Sequence, residues 1–312
     1  MNKSDLIETL AAKKKPAHGD YPKRSDYLSN LNVRQFIHWL EFMIDSPGSF
    51  KHQYYQIKAK RDFNSNCLYE AYEQYWWPYR MNDPEKGERV SGGSFTDSFK
   101  HMTKLAEMFR AAVLDKDEEL ARKCALSMLA WGGVLDKNRK RLEEIPEGVC
   151  KYFKQVQKRL KISDVRLGNH DGININSGFT KLYFLLVDDF IMYDGRVGAA
   201  LGLLGRLYSE ENGLETIPEA IEFSFGRGKT SGSMQHSENR RNPSNGLYRL
   251  PEFTGKPSRH LNDNIKASWL LKELADRTSS RFAQLPQNSP LNERLTAIQS
   301  ALFMIGYDVR QK

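Results

Sequence analysis

INSGFTKLYFLLVDDFIMYDGRVGAAL, residues 175–201, is the stretch on which the reading of the whole chain turns. It opens in a polar turn around Gly178, a residue type that reaches backbone conformations closed to others. Lys181 to Val187 is apolar enough for a short buried helix, and Asp188 and Asp189 then cap or turn the connection. Asp194 stands just ahead of the apolar run Val197 to Tyr208, where an aspartate caps a helix. A turn leading into a helix N-terminus presents amide donors suited to a phosphate, and Ser177 and Thr180 add hydroxyls at the same place.

Outward from this stretch the pattern is helical. Apolar residues at helical spacing predict helices over Val33–Ile44, Phe95–Leu114, Asp117–Ala130, Asp136–Glu144, Gly148–Leu160, Asn264–Arg277 and Asn292–Ile305. Ser94 or Thr96 is available to cap the second of these. Between Tyr54 and Tyr79 aromatics are dense, and Tyr69, Tyr72, Trp76 and Tyr79 fit one helical face, with core packing as the expected role. Residues 1 to about 30 read as a polar arm, and Met81–Gly93, rich in Gly, Pro and charge, as a break. Alternation typical of strands is scarce. The expected class is all-α.

Length and charge narrow the partners. The 312 residues suffice for one large or two modest domains, and 39% hydrophobic with 28% charged residues is an ordinary globular composition. No apolar run reaches membrane-span length and the first residues lack a secretory pattern, so a cytoplasmic protein is expected. Three widely spaced cysteines, Cys67, Cys124 and Cys150, cannot by themselves build a structural metal site, and neither metal nor cofactor is expected. The net charge of +8 favours polyanions. Lys137–Lys161 holds nine Lys/Arg against three Glu on expected helix, where a solvated face is the plain reading. Phe223–His260 holds seven Lys/Arg against two acids in a stretch rich in Gly, Ser, Asn and Pro, and reads as a long basic loop with a function. Nucleic acid is the expected partner.

Ile175–Lys181 and Tyr193–Val197 resemble the helix–hairpin–helix DNA glycosylases, particularly their 8-oxoguanine glycosylase branch. That branch carries a hairpin of the form Leu-Pro-Gly-x-Gly-Thr-Lys and, further on, Val-Asp-x-x-Val. Lys181 falls on its catalytic lysine and Asp194 on its invariant aspartate, while Ser177 stands where the first hairpin glycine is usual. Ser127–Arg141 is similar, more weakly, to the segment that wedges into the duplex, with Gly132 and Gly133 near the tip. The long added loops are also similar to bacterial glycosylases directed against phage, one kind of which removes glucosylated hydroxymethylcytosine. That likeness extends the expected substrate to hypermodified phage DNA.

The resemblance implies a two-lobed helix–hairpin–helix glycosylase fold. A helical lobe would span residues 1–90, a catalytic domain 91–215, and a basic loop with C-terminal helices packing back 216–312. It implies a monomer that acts on double-stranded DNA and excises a damaged or modified base to leave an abasic site. Asp194 would stabilise the positive charge that builds on the sugar, and Lys181 would attack it and open a lyase route. Ser177, Gly178, Thr180, Gly132, Gly133, Arg139, Arg196, Arg240 and Arg241 are the expected DNA contacts, with Arg196 either a phosphate clamp or a salt-bridge partner. Two rivals are a non-enzymatic DNA-binding protein built on the same hairpin and a metal-dependent nuclease.

Overall fold

Among the described residues, Tyr27 is the first to enter the core. The computed structural model describes residues 22–57, 59–168, 170–228, 239–288 and 290–310. Most of the expected polar arm lies outside these residues, but its last part is helix α1, Arg24–Ser29, with Tyr27 fully buried near Trp269. Asn30 then caps α2, Leu31–Met43, accepting from the amides of Asn32 and Val33. Val33, Phe36, Ile37, Leu40 and Met43 form its buried stripe, as the spacing predicts.

The aromatic segment does not form one helix. His52–Gln56 (β1) and Arg61–Ser65 (β2) pair antiparallel, and the opposed Tyr54 and Phe63 stack with ring centroids 4.5 Å apart. Helix α3, Leu68–Glu73, is short, and Trp77 precedes Pro78, which disfavours helix at the residue before it. Tyr79–Asn82 (β3) and Arg89–Gly92 (β4) make a second antiparallel pair across the stretch read as a break. Its turn is held by Asp83 Oδ1, which accepts from the amides of Glu85 and Lys86. With about 53% helix, 8% strand and two small sheets, the all-α, two-lobed expectation is corrected to a mainly helical fold carrying two β-hairpins. Aromatic side chains, read above as a helical stripe, also suit a pleated half-buried surface, and here cross-strand stacking prevails.

The remaining helices follow the expected positions closely. They are α4 (Phe95–Asp115), α5 (Glu118–Trp131), α6 (Leu135–Glu143), α7 (Val149–Arg159), α8 (Phe179–Leu186), α9 (Gly195–Glu211), α10 (Pro257–Arg277) and α11 (Glu293–Ile305). Helix α10 starts seven residues before the expected Asn264, with Pro257 in the first turn, where its missing amide costs nothing. Every residue of α8 is buried, and α4 packs against α5, α7 and α8. One apolar cluster runs from Tyr27 to Val309. Among the described residues no helix is long and apolar enough to cross a membrane.

Helix α9 carries a row of glycines, Gly195, Gly198, Gly202 and Gly205, that faces the segment 221–226. A Cβ added at Gly205 would stand 3.0 Å from Ile221 O, one at Gly202 3.4 Å from Phe223 O, and one at Gly195 2.9 Å from Gly226 O. At Gly198 the neighbour is Ser224 O. The chain therefore runs back antiparallel along the helix at backbone contact and arrives beside Asp194, the residue that begins α9. What was read as a basic loop is thus partly buried wall: Phe223, Ser224 and Phe225 have no measurable exposure.

Candidate functional site

Asn176 organises the turn ahead of α8. Its Oδ1 accepts from the amides of Gly178 (2.7 Å) and Phe179 (3.1 Å), and its Nδ2 donates to Asn138 Oδ1 on α6 (3.0 Å). Gly178 has right-handed helical dihedrals, φ −85° and ψ −50°, so the expected conformational role of this glycine is corrected. The missing Cβ matters for space instead, because it would stand 2.7 Å from Asn138 Cγ. Thr180 is fully buried with its hydroxyl directed at Ser177 O, which removes it from the expected phosphate contacts.

One turn into α8, Lys181 is buried yet doubly partnered. Its Nζ donates to Ser177 O at 2.8 Å and lies 3.5 Å from Asp194 Oδ2, with the two side chains 6% and 17% exposed. The alkyl stem runs against the turn after α5, where a Cβ on Gly132 would stand 2.6 Å from Lys181 Cδ. Gly133, at φ +65° and exposed, forms the tip of that turn. Thus the weakly matching segment and the lysine, 49 positions apart by number, meet at Gly132.

Asp194 divides its two oxygens. Oδ1 caps α9, accepting from the amides of Arg196 (2.9 Å) and Val197 (3.2 Å), while Oδ2 faces the lysine. Capping therefore leaves one carboxylate oxygen directed into the site. The arm carrying it is pinned by buried polar groups that sequence reasoning missed. His260 Nε2 meets Tyr193 O at 2.8 Å, Asn264 Nδ2 donates to Ile191 O, and Ser268 Oγ accepts from the Ile191 amide. These three lie four residues apart on one face of α10, and Gln299 of α11 accepts from the Met192 amide at 2.7 Å. Their signal was legible in principle, as polar residues recurring at i, i+4 and i+8 along a helix with apolar neighbours.

The electrostatics oppose each other. Burial lowers the Lys181 pKa against the pull of Asp194, so the neutral amine gains population. Burial works to raise the Asp194 pKa, but Lys181, Arg241 and Arg196 outweigh it and hold the carboxyl below its ordinary value. Arg196 is 8% exposed and stacks over Phe303 (4.2 Å), Tyr307 (4.9 Å) and Trp77 (5.4 Å). Burial first, then Arg241, brings its pKa down to about 10. Its guanidinium is held by rings, and its Nη1 has no hydrogen-bond partner among the described residues. Arg241 Nη1 approaches Gly195, and Arg240 lies over Tyr307 at 4.5 Å. Three cations, Lys181, Arg196 and Arg241, thus act on one carboxylate.

The fold gathers Asp194, Lys181, Ser177, Gly178, Gly132, Arg196 and Arg241 at this junction. Arg139 is not among them; it is exposed on α6, on the far side of the Gly133 turn. In the basic segment, Arg227 is paired with Glu252 at 2.9 Å and Asn239 clamps Gly228 through its amide and carbonyl, whereas Lys229 lies outside the described residues. No known protein family, curated protein or solved structure matches the chain.

Proposed function

We propose that this protein is a DNA glycosylase that breaks the bond between a base and its sugar, using Asp194 and Lys181. The observation that carries the reading is the buried contact between Lys181 Nζ and Asp194 Oδ2 at 3.5 Å, beside an exposed glycine turn. Its residues sit at the positions by which the chain resembles the 8-oxoguanine glycosylases. A carboxylate held ionised stabilises the cationic sugar as the glycosidic bond lengthens. The electron pair of that bond leaves with the base, which takes up a proton. An amine biased toward its neutral form supplies the pair that bonds to the sugar C1′, and ring opening then gives a Schiff base from which strand cleavage proceeds. In the monofunctional alternative, water attacks instead and Asp194 takes its proton.

The base must leave the stack to reach these groups, and the Gly132–Gly133 turn is the element that would enter the gap. The excess of buried cations near Asp194 suits a phosphate flanking the extruded nucleotide. Segment 221–226 runs to the start of α9 beside Asp194, and a bulky hypermodified base is the proposed substrate class. The test is incubation with normal, oxidised and glucosylated-hydroxymethylcytosine DNA in EDTA, with and without alkali. Alkali-labile sites on one substrate, lost in Asp194→Asn, are expected; none on any of them defeats the proposal. Borohydride trapping, absent in Lys181→Ala, reads the lyase branch.

A second reading, a non-enzymatic DNA-binding protein, draws on one observation: Lys181 and Asp194 satisfy each other and also the local backbone. It expects Asp194→Asn to bind DNA like the wild type while neither ever makes an abasic site.

A further inference from the structure

The β3–β4 hairpin and the α5–α6 corner enclose an open groove of about 630 Å³. Its walls carry Arg80 on β3, Arg89 on β4, Lys86 at their turn, Lys123 on α5 and Arg139 on α6. The acids that line it, Asp83 and Glu85, are turned onto Lys104, at 2.7 Å and 3.4 Å. Lys123 is taken by Glu119 at 2.6 Å. The side chains of Arg80, Arg89 and Arg139 are exposed and make no ion pair or hydrogen bond among the described residues.

The strand register explains the first two. Met81 and Tyr79 alternate inward and are buried, so Arg80 and Asn82 face out; Asn82 opposes Arg89 and Arg80 opposes Ser91. Arg80 and Arg89 are therefore diagonal neighbours on one face, roughly 7–8 Å apart. The hairpin is anchored rather than loose, because Ser127 of α5 donates to Asn82 O at 2.6 Å. Exposed guanidiniums fixed on a braced sheet surface match phosphate oxygens in planar, two-pronged fashion.

The position of the groove says which phosphates. Ala130 and Leu135, at the two ends of the Trp131–Val134 turn, line it, while Gly132 of the same turn packs on Lys181. Groove and lysine are separated by one turn of chain. A duplex that meets the exposed Gly133 tip and offers a nucleotide to Lys181 on one side lays its backbone across Arg139, Arg80 and Arg89 on the other. We infer that the β3–β4/α5–α6 groove is a phosphate-binding track for the duplex arm flanking the extruded nucleotide. This placement rests on the reading of Lys181 and Asp194 as a base-excision site; the charge of the groove does not.

The experiment compares wild type with Arg80→Ala/Arg89→Ala/Arg139→Ala by fluorescence anisotropy over a salt series. The probes are an unmodified duplex and the same duplex with a central tetrahydrofuran abasic analogue. Each lost phosphate contact lowers the slope of log K against log salt by about 0.9, so the triple variant is expected to bind both duplexes more weakly with a slope reduced by roughly 2–3. An unchanged melting temperature shows that the variant folds, and the Arg→Lys triple, which keeps the charges, is expected to recover most of the slope. Wild-type affinity and slope in the Ala triple overturn the proposal, as does a salt slope that the Lys triple fails to recover. If the Ala triple loses slope while wild type releases no base from any substrate, the groove stands and the catalytic reading falls.

Discussion

The two cationic regions of this molecule are built in opposite ways. Around Asp194, Lys181 and Arg196 are nearly sealed from water and Arg241 is partly so, stacked on rings or set against backbone with one carboxylate among them. On the β3–β4 groove, three arginines stand in solvent with no carboxylate turned toward them. Inside, low polarity changes the ions themselves, shifting Lys181 toward its neutral form and Arg196 to about 10. Outside, the ions face water and their field is screened by salt. The buried set is suited to act on a single reacting centre, and the exposed set to hold a long polyanion.

The comparison breaks first at Asp194. Asparagine is as good a helix cap, so Asp194→Asn keeps α9 started but removes the anion, and base release is expected to fall about 10²–10³-fold. A single-turnover assay with melting temperature alongside checks this; a variant as active as wild type contradicts the assigned role. Next is Gly132→Ala, whose Cβ would stand 2.6 Å from Lys181 Cδ and must displace the stem. Adduct trapping is expected to drop by about 10²-fold, because misplacing a reacting atom by ~1 Å costs that much. Retained trapping would mean that the lysine's position is not set by this turn.

Smaller effects sharpen the contrast. Arg196→Lys swaps a planar ion stacked over three rings for a compact one, and urea unfolding should show a loss of about 1–2 kcal/mol. That loss should be nearly independent of salt, unlike every effect at the groove. Last is the pH dependence of trapping. On the proposed reading the nucleophile is the neutral amine, and burial lowers its pKa, so trapping should rise with pH through a midpoint below 10.5. Asp194→Asn removes the charge that favours the ammonium, so any residual trapping should have its midpoint at still lower pH. A midpoint that moves upward reverses the assigned electrostatics.

Much of the helical frame was legible because its signals are local. The Ser94–Asp97 capping box, the Asp117 cap before α5 and the Asn292 cap before α11 each lie within one turn of the helix they start. Asp194 was legible as a cap for the same reason. The aromatic segment 54–79 was not, since its residues pair across hairpins whose partners the sequence does not point to. Thr180 reads as a phosphate contact and Arg196 as a phosphate clamp or a salt-bridge partner, yet packing by Phe303, Tyr307 and Trp77 and the closure of α8 put both inside.

From sequence alone came most of the helix positions, the pair Lys181 and Asp194, and the basic character of two segments, all properties of near neighbours and residue types. Tertiary structure alone decided which cations lie inside, that the glycine row of α9 receives segment 221–226, and that His260 braces the backbone of Tyr193, 67 positions away. The physical reason is separation along the chain. A cap or a buried stripe depends on residues three or four apart, whereas burial of a charge depends on what distant segments bring against it.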